Sequence, residues 1–566
     1  MLKPICALLA LLASPAPFSS AALANTLIHN ANGIQVGPDG KLQRFESLLI
    51  DDNGRVIRTF TKVQNPHAPG ARRVDAQGRT LLPGLIDAHG HLIDSPGADM
   101  GLGLLLLQLD LTGAKSLADV QQRLAAYAAA NPGDGWITGR GWNQELWADK
   151  RFPTAADLDA IVAGRPVFLL RVDGHAAVAN TAALKAAGVT TASIAPAGGK
   201  IERDPKGAPT GLFIDNAIEL VAAKLPLRSP ATMDRALAAA EENLLSNGLT
   251  TVSDMGTSPA GWSAMRRRGD SGRLRIRILS YADGSQPLAI ARPSGWLYGD
   301  RLRMGGVKLY SDGALGSRGA WLKRPYADKP DTSGLRFLTD AELRNQAVHA
   351  AAAGFQVAIH AIGDAANAQA ISTFEALGQR YPGDRRWRIE HVQVVDPVDI
   401  PRLAPAGIIA SMQPTHQTSD RTMAEARLDP PRLAGAYAWQ TIARTGARLA
   451  FGSDFPVESP NPFPGLSAAV SRQDPNGVPP GGWRRQERVS IEQALAGFTR
   501  GAAYAGFAEQ RIGSLEPGKW ADFIIVDRDP TAVDPQSLAA TLVIQTWVAG
   551  QQVWKRSVVM GVERGK

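Results

Sequence analysis

The sequence contains a single cysteine, Cys6, among 566 residues. A disulfide-held secreted scaffold, or a metal site built from several thiolates, needs cysteines that this chain lacks. Cys6 lies inside the amino-terminal apolar segment and does not follow the small-residue pattern of a lipid-attachment site. We therefore expect the mature protein to contain no thiol and no disulfide.

The sequence also has no apolar run after this segment that reaches the roughly 20 residues of a membrane-spanning helix. Charged residues make up 20% and hydrophobic residues 44%, a balance typical of a globular protein with a sizeable core. The formal net charge is +8, but the densest basic run, Arg266 to Arg268, has no aromatic platform beside it. We expect no membrane span and no nucleic-acid partner, and a small molecule as substrate.

The first 24 residues have the layout of an export signal. Lys3 precedes an apolar stretch from Ile5 to Ala13, and small residues follow at Ala22 and Ala24. This pattern predicts a signal peptide at residues 1–24, with cleavage after Ala24. Export of a protein without cysteine suits a bacterial periplasm, so we expect a periplasmic or secreted protein.

Short apolar runs separated by helix-like stretches fill the middle of the chain. The eight runs are LLPGLIDAHGH, GLTTVSDMG, LRIRILSYA, RMGGVKLYSDG, GFQVAIHAIGD, RWRIEHVQVV, GIIASMQPTH and RLAFGSDFP. This alternation predicts an α/β fold, a (β/α)8 TIM-like barrel at residues 82–508, with its chemistry at the C-terminal ends of the strands. The long interval after the first run predicts an inserted subdomain at about 130–245.

Both ends of the chain have strand-like patterns. TLIHNANGIQV and ESLLIDDNGRVIRTF alternate apolar and polar residues, with Asn53-Gly54 where a tight turn would fall. ADFIIVDRD and TLVIQTWVAGQQVWKR are strand-like near the other end, with Gly550 in the turn. We predict that residues 25–81 and 509–566 pair into one small β-sandwich domain.

Polar side chains recur at the C-terminal ends of several predicted barrel strands. In GLIDAHGHL, two histidines one residue apart would point the same way from a strand, as metal ligands do. A lone histidine at a strand end is more often a satisfied polar residue, but chance does not repeatedly place one at the same level of separate strands. The candidate metal ligands are His89, His91, Lys308, His360, His391 and Asp454.

Lys308, in GGVKLY, is bounded by apolar residues. A buried, unpaired ammonium is costly, so its pKa falls and it tends to lose its proton. A neutral amine can react with carbon dioxide to form a carbamate, which can bridge two cations as a carboxylate does. The alternative is a lysine paired with a nearby carboxylate such as Asp312.

The motifs GLIDAHGHL, VKLYSDGALGSRGAWL, VAIHAIGDAAN, RIEHVQ and FGSDFPVESPNPF resemble the amidohydrolase superfamily, and within it amidohydrolase family three, which includes N-substituted formamide deformylases. The likeness extends over essentially the whole mature chain. The resemblance implies two divalent metal ions, with zinc as the expected metal. It implies that His89 and His91 bind the more buried ion, which Asp454 touches. It also implies that carbamylated Lys308 bridges both ions and that His360 and His391 bind the second.

The reaction implied by the resemblance is metal-assisted hydrolysis of a non-peptide carbon–nitrogen bond, in a substituted amide, formamide or cyclic amide. A water between the cations becomes the nucleophile, and Asp454 accepts its proton and passes it to the leaving nitrogen. Asp454, in SDFP, also fits the N-cap of a helix.

Two alternatives remain for the function. The same site could cleave an ester, lactone or phosphoester. A non-catalytic periplasmic binding protein is an alternative of another class, but it predicts missing ligands, and all six are present. The oligomeric state stays open, a homodimer being one option.

Seven further residues are expected to face the substrate. They lie in GRGWNQELW and DGHAAVAN of the insertion, in the glycine-rich DGALGSRGAWL, and in SMQPTHQTSD after the seventh strand. A tryptophan is more often a core residue, and the arginine suits either a substrate carboxylate or a surface ion pair. The residues are Trp142, Asn143, His175, Asp312, Arg318, Gln413 and His416.

Overall fold

The structure is a computed structural model. It describes residues 25–64, 66–94, 101–172, 174–196, 198–226, 228–284 and 286–557. The predicted signal peptide, residues 1–24, lies outside the described residues, so export stays a prediction. Among the described residues, no helix combines the length and the apolar character that crossing a bilayer requires.

The amino-terminal segment forms seven short strands divided between two sheets. Strands β1, β4, β5 and β6 form a four-stranded sheet in the order β5-β4-β1-β6, and Gly54, in the predicted turn between β4 and β5, has a φ of +82° that glycine adopts without strain. The strands are β1 Thr26–His29, β2 Asn32–Val36, β3 Leu42–Phe45, β4 Ser47–Ile50, β5 Val56–Phe60, β6 Arg72–Asp75 and β7 Thr80–Pro83.

The insertion follows the first barrel strand, β8 (Leu85–Gly90), and the short helix α1 (Leu102–Leu106). Its six strands form one sheet in the order β13-β14-β12-β11-β10-β9. The elements are β9 Leu109–Asp110, α2 Leu117–Ala130, β10 Ile137–Trp142, α3 Ala155–Asp159, β11 Val167–Arg171, β12 Ala176–Ala179, α4 Thr181–Ala187, β13 Gly199–Arg203, β14 Pro209–Asp215 and α5 Glu219–Ala222.

The limits of the insertion differ from the predicted 130–245. It begins near Leu109, because β9 pairs with β10 and α2 packs on the same sheet. It ends before helix α6 (Pro230–Ser246), because Leu237 and Leu244 of α6 belong to the core of the barrel. Helix α6 is therefore the first large helix against the barrel.

The barrel consists of eight parallel strands in chain order, one in each of the eight predicted runs, which confirms the predicted (β/α)8 fold. A bridge between Gly90 and Phe455 joins its first and last segments. The remaining elements are β15 Leu249–Thr257, α7 Pro259–Asp270, β16 Arg277–Asp283, β17 Leu302–Tyr310, α8 Asp340–Ala352, β18 Gln356–Ala361, α9 Asp364–Arg380, β19 Arg388–His391, β20 Ile409–Met412, α10 Pro414–Arg427, α11 Pro430–Leu433, α12 Trp439–Arg444, β21 Arg448–Phe451, α13 Pro462–Ser471, α14 Ile491–Ala496 and α15 Ala502–Ala505.

Two barrel connections depart from the regular strand–helix alternation. Between β16 and β17, and between β19 and β20, the described residues form only a 3₁₀ turn, Pro287–Ala289 and Ile400–Arg402 respectively. Further 3₁₀ turns lie at Gln144–Leu146, Asn216–Ile218 and Arg485–Glu487, and a π-helical turn, Gly497–Gly501, joins α14 to α15.

The carboxyl-terminal strands complete the small domain. Strands β22 (Phe523–Val526), β23 (Val543–Val548) and β24 (Gln551–Lys555), with helix α16 (Pro535–Ala539) after β22, extend the second sheet to the order β24-β23-β22-β7-β2-β3. The two sheets share an apolar core that includes Ile28, Leu48, Leu81, Phe523 and Trp547. The predicted β-sandwich built from both chain ends is therefore confirmed.

A buried ion pair joins this sandwich to the barrel. Arg277 of β16 donates two hydrogen bonds to Asp522, at 2.6 and 2.9 Å, and both side chains are buried. We expect Asp522→Ala to lower the free energy of unfolding by about 3–5 kcal/mol, because it leaves a buried guanidinium unpaired. Guanidinium denaturation measures this loss.

The half-exposed pair between Arg44 and Asp529 provides the control, since it also links the two ends of the chain. Arg44→Ala should cost no more than about 1 kcal/mol for the lost ion pair, because its guanidinium is half-exposed. Equal effects of the two variants would contradict a special role for the buried pair.

Candidate metal centre

The six predicted metal ligands come from the C-terminal ends of five barrel strands. His89 lies in β8 and His91 directly follows it, Lys308 lies near the end of β17, His360 near the end of β18, and His391 is the last residue of β19. Asp454 follows β21 by three residues. Because the strands are parallel and adjacent, these ends share one rim of the barrel.

Asp454 lies at the centre of this group. Its Oδ1 is 3.2 Å from His91 Nε2 and 3.4 Å from His89 Nε2, and its Oδ2 is 4.0 Å from His391 Nδ1. One ligand atom from each of His89, His391 and Asp454 lies within 4.8 Å of the other two. The ring centroids of His360 and His391 are 4.5 Å apart. The structure thus brings the predicted residues together.

Lys308 is 1% exposed, and its Nζ lies 3.2 Å from His89 Nε2. Burial lowers the pKa of Lys308 to about 8, against the opposing effect of Glu390 and Asp454. The alternative ion pair with Asp312 is not formed between these two described residues. Asp312 instead accepts backbone hydrogen bonds from Trp321, Ile362 and Gly363, at 2.8 to 3.0 Å. The direction of the Lys308 pKa shift favours the neutral amine, which is the form that carbamate formation requires.

The chemistry of the donor set fits a divalent metal. Burial lowers the pKa of His89 to about 4 and that of His360 to about 3, so both imidazoles are neutral at pH 7, the form that binds metal. One buried atom at the rim, His360 Nε2, makes no hydrogen bond to any described residue. Imidazole nitrogens and carboxylate oxygens are ligands that zinc and similar cations accept.

A buried chain of polar groups orients His89. Its Nδ1 lies 2.7 Å from Glu390 Oε2, which leaves Nε2 directed at Lys308 and Asp454. Arg388 donates to both oxygens of Glu390, at 2.8 and 3.2 Å. Such partners fix the tautomer and the orientation of a ligating histidine. The sequence interpretation missed both charged residues, although charges at alternate positions of a buried strand, in RIEH, are the signal that could have found them.

The loop that carries Asp454 is tied to the first barrel strand. Asp87 of β8 accepts hydrogen bonds from Ser453 N and Oγ, at 3.1 and 2.6 Å, and from His89 N at 3.0 Å. Gly452 permits this approach, since a Cβ there would lie 2.4 Å from Asp87 Oδ1. Burial raises the pKa of Asp87 to about 7. Asp87 thus positions His89 and Asp454 relative to each other.

Three residues of the site have positive φ values, His391 (+77°), Val392 (+49°) and Asp454 (+61°). This conformation is unfavourable for a β-branched residue such as valine. Strained backbone tends to cluster at functional sites, where the surrounding structure holds it in place. The N-cap of the next described helix, α13, is Asn461, so the alternative of Asp454 as its N-cap is wrong.

Comparison with known proteins assigns the chain to a family. Residues 72–554 match the amidohydrolase family. The chain belongs to this family.

The amidohydrolase is similar to known proteins over most of its length. It is 35% identical over 547 residues to Protein LONG AFTER FAR-RED 3 of Arabidopsis thaliana, covering 92% of this chain and 91% of that protein. It is 26% identical over 558 residues to N-substituted formamide deformylase of Arthrobacter pascens, covering 94% of this chain and 98% of that protein. An uncharacterized metal-dependent hydrolase of Pyrococcus horikoshii superposes with a TM-score of 0.73 at 30% identity, covering 90% and 99%. The chain is therefore a metal-dependent hydrolase.

Gln413 and His416, two of the seven predicted substrate-facing residues of the amidohydrolase, lie beside the candidate ligands His391 and Asp454. Gln413 Oε1 is 3.0 Å from His391 Nδ1, so the amide orients this histidine. His416, on α10, has its Nε2 3.7 Å from Asp454 Oδ2. Substrate contact by either residue stays a prediction.

The two predicted residues in DGALGSRGAWL have other partners. The Asp312 carboxylate is buried and accepts hydrogen bonds from the three backbone N–H groups named above, so it anchors its loop. Its Oδ1 also lies 3.5 Å from Nε2 of the candidate ligand His360, and substrate contact by Asp312 stays a prediction. Arg318 donates to Asp328 at 2.6 Å, and its side chain is one-third exposed. The surface ion pair is thus the alternative that the structure supports for Arg318.

The three predicted residues of the insertion have different surroundings. Trp142 is 0% exposed and donates from Nε1 to Leu169 O at 2.9 Å, so the prediction that it faces the substrate is wrong. Its ring belongs to the core under the insertion sheet. Asn143 accepts from Glu145 N and caps a 3₁₀ turn, and His175 is exposed with Nδ1 2.7 Å from Asp215 Oδ1. Substrate contact by these two residues stays a prediction.

Proposed function

We propose that this amidohydrolase cleaves a non-peptide carbon–nitrogen bond in a small molecule, namely a substituted amide, a formamide or a cyclic amide. The observation that carries the proposal is the buried Lys308, with Nζ 3.2 Å from a histidine ligand at the barrel rim. The similarity to an N-substituted formamide deformylase supports this class of bond.

We further propose that the site holds two zinc ions, with Lys308 carbamylated between them. His89, His91 and Asp454 would hold one ion, and His360 and His391 the other. The ions would supply Lewis-acid activation of water and of the carbonyl group. Asp454 then accepts the proton of the attacking water and delivers it to the leaving nitrogen. Glu390 and Gln413 keep the imidazoles oriented during these steps.

Metal content and substrate class are tested on the mature chain that begins at Asn25. We expect elemental analysis to find about two zinc ions per chain, since the six candidate donors would be shared between two ions. Assays on matched amides and esters of the same acyl groups should show the higher kcat/KM on amides, and chelation should abolish turnover until zinc is restored.

A strong preference for the ester in each matched pair would overturn the proposed bond class and favour the ester alternative. Turnover that survives complete chelation would overturn the metal dependence. Export is tested separately: mass spectrometry of the chain expressed with residues 1–24 should find the mature form starting at Asn25, and an uncleaved chain would contradict export.

A further inference from the structure

His416 has a buried nitrogen directed at the metal centre. The residue is 6% exposed, and its Nε2 makes no hydrogen bond to any described residue. Asp454 Oδ2 lies 3.7 Å from this nitrogen, and the ring of His391 lies parallel at a centroid distance of 6.1 Å. A buried polar atom without a protein partner is costly, so this position points to a ligand as the partner of Nε2.

Hydrogen bonds behind His416 determine which nitrogen carries the proton. Gln393 Nε2 lies 3.1 Å from His416 Nδ1. An amide nitrogen can only donate, so Nδ1 accepts, and the proton of the neutral ring is on Nε2. The chain therefore presents an N–H donor, and not an acceptor, to the centre.

The amide of Gln393 is itself held in this orientation. Its Nε2 also donates to Asp420 Oδ2 at 3.4 Å, and the Tyr437 hydroxyl donates to the same oxygen at 2.7 Å. His416 and Asp420 lie one turn apart on α10, and Tyr437 N donates to Gln393 O at 2.7 Å. These hydrogen bonds through Tyr437, Asp420, Gln393 and His416 connect α10 to the loop that follows His391.

We propose that His416 Nε2–H donates a hydrogen bond to the carbonyl oxygen of the substrate, and to the negative charge that develops on this oxygen during attack. The inference rests on the proposed function, because it assumes a carbonyl substrate beside Asp454. A preorganised donor at a developing oxyanion stabilises the transition state more than the ground state. Gln393 acts as a positioning residue, since it contacts the substrate only through His416.

The test compares His416→Ala, His416→Gln and Gln393→Met in the zinc-loaded mature chain. On an amide that the parent cleaves, His416→Ala should lower kcat by about 10²–10³-fold with little change in KM, as loss of an oxyanion donor does elsewhere. Glutamine can still donate, so His416→Gln should retain more activity than the alanine variant. Gln393→Met should lose about 10-fold, because the ring is no longer held in one tautomer.

A binding measurement separates this inference from the proposed function. Methylphosphonate mimics a tetrahedral oxyanion, and calorimetric titration measures its Kd without turnover. His416→Ala should weaken binding at least about 10-fold, the equivalent of one lost charge-assisted hydrogen bond. Ser419→Ala, at an exposed position on the same helix, is the control and should bind as the parent does.

Each contrary outcome has its own meaning. The proposed role of His416 as a hydrogen-bond donor would be overturned by unchanged methylphosphonate affinity and kcat in His416→Ala. It would also be overturned if methylphosphonate did not bind to the zinc-loaded parent. Loss of zinc from His416→Ala would also overturn it, by showing that His416 is a metal ligand. If the parent cleaves no amide while methylphosphonate binding still depends on His416, the proposed function is contradicted. The role of His416 as a donor to an anionic oxygen is then still supported.

Discussion

Replacement of Lys308 by alanine is expected to lower the metal content of the chain and abolish turnover. In the proposed site, the carbamate of Lys308 would be shared by both ions, so its removal should weaken the binding of both ions at once. Bicarbonate with a short carboxylic acid such as propionate should partly restore activity, because the acid can fill the space left by the side chain. Zinc per chain and kcat, each with and without propionate, measure the effect.

Lys308→Arg is the matched control for this prediction. Arginine keeps the positive charge but never provides a neutral amine that can attack carbon dioxide. If Lys308 acted only as a buried cation beside Glu390 and Asp454, the arginine variant would retain metal and activity. The carbamate instead predicts that arginine fails as alanine does, and that propionate does not rescue it, since the longer side chain fills the space. Two zinc ions and normal turnover in Lys308→Ala would show the carbamate to be wrong.

The gathering of the candidate ligands at one rim could be predicted because it follows from local chain geometry. In a parallel barrel, each strand ends at the same rim, so a histidine near the end of β18 and another at the end of β19 must be neighbours. The alternation of side chains then directs His89 and His91 to the same side. Neither step needs a contact that is remote in the sequence to be known in advance.

The residues that failed prediction depend on contacts between distant segments. Trp142 is buried because β10 pairs with β11 and places its indole against Leu169. The motif GRGWNQELW alone does not predict that pairing. Asp312 accepts hydrogen bonds from backbone N–H groups just after β18, about 50 residues later in the chain. Its role as a loop anchor beside His360 depends on those remote contacts and could not be predicted from its glycine-rich motif.

The insertion limits failed for a related reason. Helix α6 has the apolar pattern of any amphipathic helix, and only its packing against β15 and α7 identifies it as part of the barrel. Strand β9 has two residues, too few for a periodic signal, and it is recognisable only through its partner β10. Sequence periodicity specifies that an element exists, while its neighbours decide the domain to which it belongs.

Asp454→Asn is expected to lower kcat by about 10²–10⁴-fold, the usual contribution of a general base and acid. Asparagine has nearly the shape of aspartate and keeps one oxygen toward His89 and His91, but it cannot accept a proton. Metal loss should therefore be smaller than in Lys308→Ala. The ratio of kcat to bound zinc, compared between the two variants, separates the loss of proton transfer from the loss of the ions.

Glu458→Gln is the control for this substitution, because Glu458 lies four residues further along the same segment and its carboxylate accepts a hydrogen bond from Ser419. It should leave kcat and metal content unchanged. Normal turnover in Asp454→Asn would contradict the assignment of Asp454 as the proton carrier. His416, 3.7 Å from the same carboxylate, would then become the remaining group able to serve the leaving nitrogen, and the order of effects in the two variants would be reversed. Normal turnover in Asp454→Asn together with a large loss of kcat in His416→Ala would therefore move the proton-transfer role from Asp454 to His416.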